Sequence, residues 1–409
     1  MTYRSTRTCS IGTLRAGSVT FPHCGLPGRG TGAGLRSRHV IKNGGQMVDV
    51  DVVVVGGGAM GSAAAWQLAR RGVDVLLLER FAPGHTRGAS HGASRIFRVS
   101  YTEPVYIGLA HEALAWWREV EAETGRSLLT VTGGVSHGRT ADLELLARAL
   151  DDAGNPGAWL HLAEAAERWP GLRFDGRVFF HALTGRLHAD HSVTALQDLA
   201  AKLGATVRHE SPVTGIVVHD DSVEVRTDTD VIRARRAVVA AGAWTEKLLG
   251  SLVRLPPLRV TQEQPAHFRA RNDDLVWPSF THHLDASWPS GVYGLATPGE
   301  GIKAGFHGTG PVVDPDHRDF RPEPAQLLEL RRYAREWLPG VDPDDFDPIS
   351  CTYTTTTTSD FVLDRVGPVV VAAGFSGHGF KFTPAVGRVL ADLALTGDRP
   401  DARFALETS

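Results

Sequence analysis

Residues Val50 to Arg80 read VDVVVVGGGAMGSAAAWQLARRGVDVLLLER. An apolar run from Val52 to Val55 enters a glycine cluster, Gly56, Gly57, Gly58 and Gly61. Small residues around Ala63, Ala64 and Ala65 follow, then a second apolar run from Val73 to Leu78. The order is strand, glycine turn, helix, strand. In such a unit Gly56 permits the tight turn, Gly58 lets the backbone approach a pyrophosphate, and Gly61 lets the helix pack close, with the phosphates drawn to the positive helix N-terminus. Glu79 ends the second strand, eighteen residues past Gly61. A carboxylate there accepts hydrogen bonds from an adenosine ribose and repels a 2′-phosphate, so FAD or NAD fits and NADP does not.

The rest of the chain is large enough to serve that unit with a second domain. At 409 residues it exceeds what one hydrophobic core usually supports. With 42% hydrophobic and 22% charged residues, the composition is that of an ordinary soluble globular protein. Residues 1–46 hold seven Arg and Lys and no acid, which leaves 36 basic against 46 acidic residues, or −10, for the remainder. An acidic body gives no case for nucleic acid. Rich in Arg, Ser, Thr and Gly, the 1–46 segment has no periodic apolar face and reads as a disordered N-terminal extension. An organellar transit peptide has a similar composition, but this stretch lacks a clear amphipathic helix. No run of about 18 apolar residues exists, so no membrane span is expected. Cys9 and Cys24 lie in the extension, leaving Cys351 as the one thiol of the body, which suits a reducing cytoplasm.

After Arg80 the sequence FAPGHTRGASHGASRIFRVSY reads as a polar loop, with a cationic group of His91, Arg95 and Arg98. Loops of this kind beside a nucleotide fold tend to touch the cofactor. A helix is expected from Pro104 to Glu121, a strand with a Gly-Gly turn from Leu129, and helices near 141–153 and 162–168. Helical periodicity returns at 192–203, and short strands follow at 205–209, 213–218, 222–227 and 236–240. The last strand breaks at Gly242 into a helix beginning near Trp244, which brings the chain back to the nucleotide domain. Residues 257–345 leave again, with strand-like stretches and an amphipathic helix at 324–337. A final buried strand, Val369 to Ala373, returns through Gly374, Gly377 and Gly379 to a helix ending near Leu395. That glycine loop at a helix start can aim positive charge at the N1–O2 edge of a flavin, and no second GxGxxG exists for a separate NAD(P)H. A flavin reduced by the enzyme's own substrate is therefore the simpler reading.

GGGAMG with Glu79, the loop SHGASRIFR, the AGAW turn, KAGFH, CTYTTT and AGFSGHGFKF together resemble the monomeric sarcosine oxidase and N-methyltryptophan oxidase group of the D-amino-acid-oxidase-like flavoproteins. The match runs in order from Val50 to about Gly397. The resemblance implies an α/β protein whose Rossmann-like, GxGxxG FAD-binding domain is interleaved with a second α+β substrate domain containing a mostly antiparallel sheet. The boundaries expected are 47–130, 193–256 and 346–409 for the FAD-binding domain, and 131–192 and 257–345 for the substrate domain.

Residue roles also follow from the resemblance. Cys351 falls where the family attaches FAD through the 8α-methyl carbon. Arg98 and Lys381 fall where it holds the substrate carboxylate, and Lys303 on the lysine that activates oxygen, with His307 four residues on. Tyr293, His378 and Arg95 complete the catalytic set. FAD contacts are assigned to Gly56, Gly57, Gly58, Ala59, Met60 and Gly61, to Glu79 and Arg80, and to His91 and Ser94. Val213, Gly242, Trp244, Gly374, Gly377, Gly379 and Lys381 complete them. An acid and a Thr common in the family before the arginine are Ala93 and Ser94 here. The implied activity is oxidation of a secondary amino acid such as sarcosine to an imine, with O2 reduced to hydrogen peroxide. The implied protein is a cytoplasmic monomer without a metal, a nucleic-acid partner or a membrane partner. A flavin amine dehydrogenase or a biosynthetic imine or amine oxidase is the alternative on the same scaffold.

Overall fold

Strand Met47–Val55 sits mid-sheet in the computed structural model, which describes residues 47–407. The expectation of disorder for 1–46 lies outside the described residues. Val75–Leu78 pairs parallel on one side of the central strand and Val231–Val239 on the other. Thr206–Arg208 and Val369–Ala373 extend the parallel run outward. Val231–Val239 changes partner along its length: its first half pairs antiparallel with Val223–Thr227, its second half parallel with Val369–Ala373. An antiparallel flap is thereby spliced onto a parallel sheet. Strands buried on both faces read as continuous Val and Leu runs, which is why this sheet was legible. Helices Ala59–Ala69, Pro104–Thr124, Ala189–Lys202 and Thr383–Leu395 cover one face, and residues such as Val53, Leu76 and Val239 form the core on the other.

The second eight-stranded sheet runs Val341–Pro348, Ala266–Ala270, Gly301–Phe306, Val292–Thr297, Ser279–His283, Gly134–Gly138, Val178–His181, Ala158–Leu160. All its pairs are antiparallel except Ser279–His283 with Gly134–Gly138, as the fold class anticipates. Its apolar face packs on helix Pro324–Trp337 through Leu330, Tyr333, Ala334 and Trp337. The edge strand Val341–Pro348 belongs to this sheet throughout, so it runs past residue 346, where the sequence reading puts the last return.

Two small sheets tie these layers to the site. Arg95–Phe97, read from sequence as loop, is a strand paired with Gly185–Leu187, whose other side carries Leu129–Val131. Arg259–Glu263 pairs with Cys351–Thr355, with Glu263 opposite Cys351. Among the described residues no helix is long and apolar enough to cross a membrane.

Candidate active site

Two cavities meet in the body of the protein. The first, of about 730 Å³, is walled by Gly56, Gly57, Gly58, Ala59 and Met60 of the glycine turn, by Glu79 and Arg80, and by Val213, Gly242, Trp244, Gly374, Gly377 and Gly379. The second, of about 500 Å³, is walled by Ser94, Arg95, Arg98, Tyr293, Lys303, His307, His378 and Lys381. Arg95, Cys351, Tyr353, Gly377 and Phe380 line both. A molecule long enough to fill the first cavity therefore reaches the second at Cys351.

The first cavity fits a dinucleotide. A Cβ on Gly57 would lie 2.8 Å from Glu79 Cβ, and one on Gly61 would lie 1.8 Å from the Gly56 carbonyl oxygen, so the turn closes only with glycine. Helix Ala59–Ala69 has no acid in its first turn, and the Ala59 amide donates to the neutral Ser90 hydroxyl at 3.0 Å, so no negative charge competes with phosphate for its positive end. Glu79 accepts from the Gly57 amide at 2.6 Å and the Phe81 amide at 2.9 Å, and lies 3.3 Å from His85. Burial works to raise the Glu79 pKa, but these contacts together hold it below the ordinary value. Over the outer end, Asp316 accepts from Arg80 at 2.7 Å, Trp244 at 2.8 Å and Lys247 at 2.6 Å, which straps the 308–321 segment across the opening.

The second cavity is cationic. Arg98 follows the Arg95–Phe97 strand, Lys303 projects from Gly301–Phe306, His307 follows that strand, and Lys381 lies in the 3-10 turn Phe380–Phe382 ahead of helix Thr383–Leu395. Lys381 donates to the Tyr101 hydroxyl at 2.8 Å and to the His378 carbonyl at 2.6 Å, and burial, then the Arg98 charge, hold its pKa well below the usual value. The Arg98 guanidinium sits 4.9 Å from the centre of the Tyr101 ring. Lys303 lies 3.5 Å from the Ser94 carbonyl, and burial, then Arg95, bring it down to about 7. Arg95 donates to the carbonyls of Ser94 and Ala89, each at 2.8 Å, with Cys351 Sγ 4.0 Å away. Among the described residues none of these four cations has a carboxylate within 4.0 Å. Buried charge left unpaired in this way is costly, and clusters of it mark sites that take an oppositely charged ligand.

His307 is held to about 4 by burial and by Arg98 and Lys381, and His378 to about 3 by burial and Lys381, so both are neutral near pH 7. Burial raises the Tyr293 phenol. Cys351 is placed by its strand, and Arg318, buried at 7% exposure, donates to the preceding Ser350 hydroxyl at 2.8 Å, to Gln262 and to the Arg87 carbonyl.

Most residues singled out in the sequence thus converge, but two line neither cavity. Gly61 packs under the turn, and His91 sits behind the wall with its Nε2 buried and unpartnered, held to about 4 by burial and by Arg95 and Lys303. Sequence reading missed Tyr101, which bonds both Lys381 and His378; a single tyrosine in VSY carries no signal. Tyr353, within CTYTTT, walls both cavities, a place that the motif by itself does not mark.

This fold and this paired site define an FAD-dependent oxidoreductase. Residues 51–393 match the family of FAD dependent oxidoreductases, and the chain belongs to it. It falls in the monomeric sarcosine oxidase and N-methyltryptophan oxidase group, as an FAD-dependent amino-acid oxidase acting on CH–NH donors. It is 35% identical over 364 residues to the monomeric sarcosine oxidase of Bacillus sp. (strain B-0618), covering 85% of this chain and 92% of that protein. It is 29% identical to the N-methyl-L-tryptophan oxidase of Yersinia pestis (strain Pestoides F), covering 84% and 94%. Among solved structures, NikD, an unusual amino acid oxidase essential for nikkomycin biosynthesis, superposes with a TM-score of 0.78 at 30% identity, over 88% of this chain and 97% of that one.

Proposed function

We propose that this enzyme oxidises secondary amino acids, N-methyl or cyclic ones such as sarcosine, to imines that water hydrolyses to aldehyde and amine, with hydrogen peroxide as the second product. The observation that carries the reading is the cavity of about 500 Å³ whose four cations lack carboxylate partners and whose wall is shared with the dinucleotide cavity at Cys351. An amino acid brings the missing carboxylate; a plain amine does not. Arg98, able to bind it bidentately, and Lys381 hold that group. Neutral His307 and His378, with Tyr293, orient the amine end without adding charge.

Bound FAD supplies the acceptor for the two electrons leaving the substrate's C–H and N–H. Lys303 sets a positive charge beside the shared wall, where it stabilises the charge that develops as O2 takes up its first electron. Cys351, with Arg95 against its sulfur, is the residue to which the flavin is joined through its 8α carbon. The two sheets support a division into FAD-binding and substrate parts, with the last crossing after Pro348. We place the enzyme in the cytoplasm as a monomer, in keeping with the lack of a disulfide at Cys351.

Likeness to NikD favours a second reading, a biosynthetic oxidase of a cyclic imine or amine. A peroxide-coupled screen of sarcosine, N-methyltryptophan, pipecolate and proline tests the first. Anaerobic bleaching with peroxide release in air supports it, bleaching without peroxide points to a dehydrogenase, and a flavin that none of them bleaches rules it out.

A further inference from the structure

Lys303 is the inner end of a row of polar side chains that begins in solvent. Strand Ala266–Ala270 pairs antiparallel with Gly301–Phe306, and His267 is directly opposite Lys303. On the other side of His267, strand Val341–Pro348 sets Asp347 directly opposite it. Directly opposed residues of an antiparallel pair project from the same face. Asp347, His267 and Lys303 thus run from an exposed acid to a buried amine.

His267 is 8% exposed, and its Nδ1 lies 3.3 Å from Oε2 of Glu300, whose side chain is 45% exposed. Its Nε2 is buried without a hydrogen-bond partner. Neither His267 nor Glu300 lines the substrate cavity, so the pair stands behind Lys303. A neutral ring carries one proton, on Nδ1 while the carboxylate beside it is ionised and on Nε2 once that carboxyl has itself taken a proton. As a structural ion pair the arrangement is poorly made. Burial, then the charges of Lys303 and Arg95, keep His267 at about 4, so it is neutral near pH 7, and a neutral ring beside a half-exposed carboxylate contributes little stability.

We propose that Glu300 and His267 form the proton path between solvent and the Lys303 amine. The inference rests on the role given to Lys303 above, and it adds what that role lacks. Reducing O2 to hydrogen peroxide consumes protons as well as electrons, and of the carboxylates near the cavity it is Glu300, not the wall residues Glu103 and Asp360, whose charge acts on Lys303. Along the path, Glu300 takes a proton from water, which lets the ring adopt its Nε2–H tautomer. The carboxyl then gives its proton to Nδ1 as Nε2–H gives one to Nζ, and the ring, now Nδ1–H, returns to Nε2–H before the next transfer. One proton enters at the carboxylate and one arrives at the amine; only O–H and N–H bonds change, and no electron moves. Around Lys303 stand Arg95 and Cys351 on the cavity side, His91 behind the wall, His267 on the neighbouring strand and Glu300 at the turn. Arg95 drives the amine toward its neutral form and Glu300 opposes it. His267 itself faces Lys303, Arg95, Glu300 and Asp347.

The test uses the FAD-loaded enzyme and four variants, Glu300→Gln, Glu300→Asp, His267→Phe and His267→Ala. Reoxidation by O2 after anaerobic reduction is followed by stopped flow across neutral pH in H2O and D2O. Independently of turnover, the pH titration of Lys303 is followed through the absorbance of the oxidised enzyme. Glu300→Gln should move that titration to lower pH, since a carboxylate that favours the ammonium is gone, and Glu300→Asp should move it back. His267→Phe, which fills the space, should slow reoxidation by about tenfold or more and more than it slows reduction, and imidazole should restore part of the rate in His267→Ala. Titration, rate and solvent isotope effect unchanged in Glu300→Gln and His267→Phe, while Lys303→Met still loses fast reoxidation, would overturn the path and leave the role of Lys303 standing. Wild-type reoxidation in Lys303→Met would remove both.

Discussion

Lys381 Nζ donates a hydrogen bond of 2.8 Å to the hydroxyl of Tyr101, a residue 280 positions away in the chain. Tyr101 also lies 3.3 Å from His378 Nδ1 and under the Arg98 guanidinium, so one phenol gathers three groups of the substrate site. Burial pushes that phenol up to about 12, which keeps it a neutral donor and acceptor at working pH.

Removing either carboxylate-binding cation should therefore injure catalysis more than folding. Lys381→Met and Arg98→Ala are each expected to lower kcat/KM for amino acids by a factor equivalent to about 2–4 kcal/mol, because a substrate anion is left underpaired in a dry cavity. Steady-state kinetics with a secondary amino acid checks this; normal kcat/KM would place the carboxylate elsewhere.

Tyr101→Phe keeps the ring and deletes the hydroxyl bonded to Lys381 and His378. A neutral hydrogen bond of this sort is worth about 0.5–1.5 kcal/mol. The expected outcome is a loss of several-fold in kcat/KM with flavin content unchanged, read from kinetics alongside the flavin-to-protein absorbance ratio.

For the flavin link, acid-precipitated wild-type protein should keep its yellow colour in the pellet, and Cys351→Ser should release it to the supernatant. Colour that leaves the wild type on denaturation would show a cofactor held by contacts alone.

Lys303 yields a prediction in pH. Its folded pKa is depressed to about 7 from 10.5, so the ammonium fraction falls as pH rises through about 7, and reoxidation by O2 should slow over the same interval. Between the two values the unfolded chain binds a proton that the folded protein does not, so this group lowers stability as pH falls from 10.5 toward 7 and adds no further change below. Lys303→Met should accordingly reoxidise on the order of a hundredfold more slowly, about 2.7 kcal/mol, while melting at or above the wild-type temperature near pH 8. Stopped-flow reoxidation and thermal melts measure the two halves separately.

Gly61→Ala tests the glycine turn. The added methyl carbon would lie 1.8 Å from the Gly56 oxygen, so the helix must shift away from the turn. Overpacking of that kind costs about 1–3 kcal/mol, and the displaced helix end should bind flavin more weakly. Flavin content after gel filtration and the denaturation midpoint report both effects.

Local pattern was enough for the elements that are buried all round or have one apolar stripe. VVVV and VLLL are strands, PAQLLELRRYAREW is the helix Pro324–Trp337, and VVVAA is the strand Val369–Ala373, because burial on both faces or on one stripe imprints a period on the chain. Val341–Pro348 shows the opposite case. VDPDDFDP is poor in strand-forming residues, and it is extended because Ala266–Ala270 offers a free edge to pair with, where proline is tolerated. Arg95–Phe97 was hidden in a glycine and serine stretch for the same reason: its partner, Gly185–Leu187, comes about ninety residues later.

The site divides along the same line. Glycine spacing and Glu79 are contiguous chemistry, since the turn, the helix end and the acid all lie within one strand-helix-strand unit, and proposing a dinucleotide site there needs only Val50 to Arg80. Which cations face one another was not. Arg98, Lys303 and Lys381 come from a strand end, a second-sheet strand and a 3-10 turn, and only the packing of the two sheets about Cys351 brings them to one cavity. The depressed pKa values of Lys303 and Lys381, the neutrality of His307 and His378, and the placing of Tyr101 and His267 all depend on burial and on neighbours distant in sequence. Charge in a folded protein is set by what surrounds it, and a sequence names the charge without its surroundings.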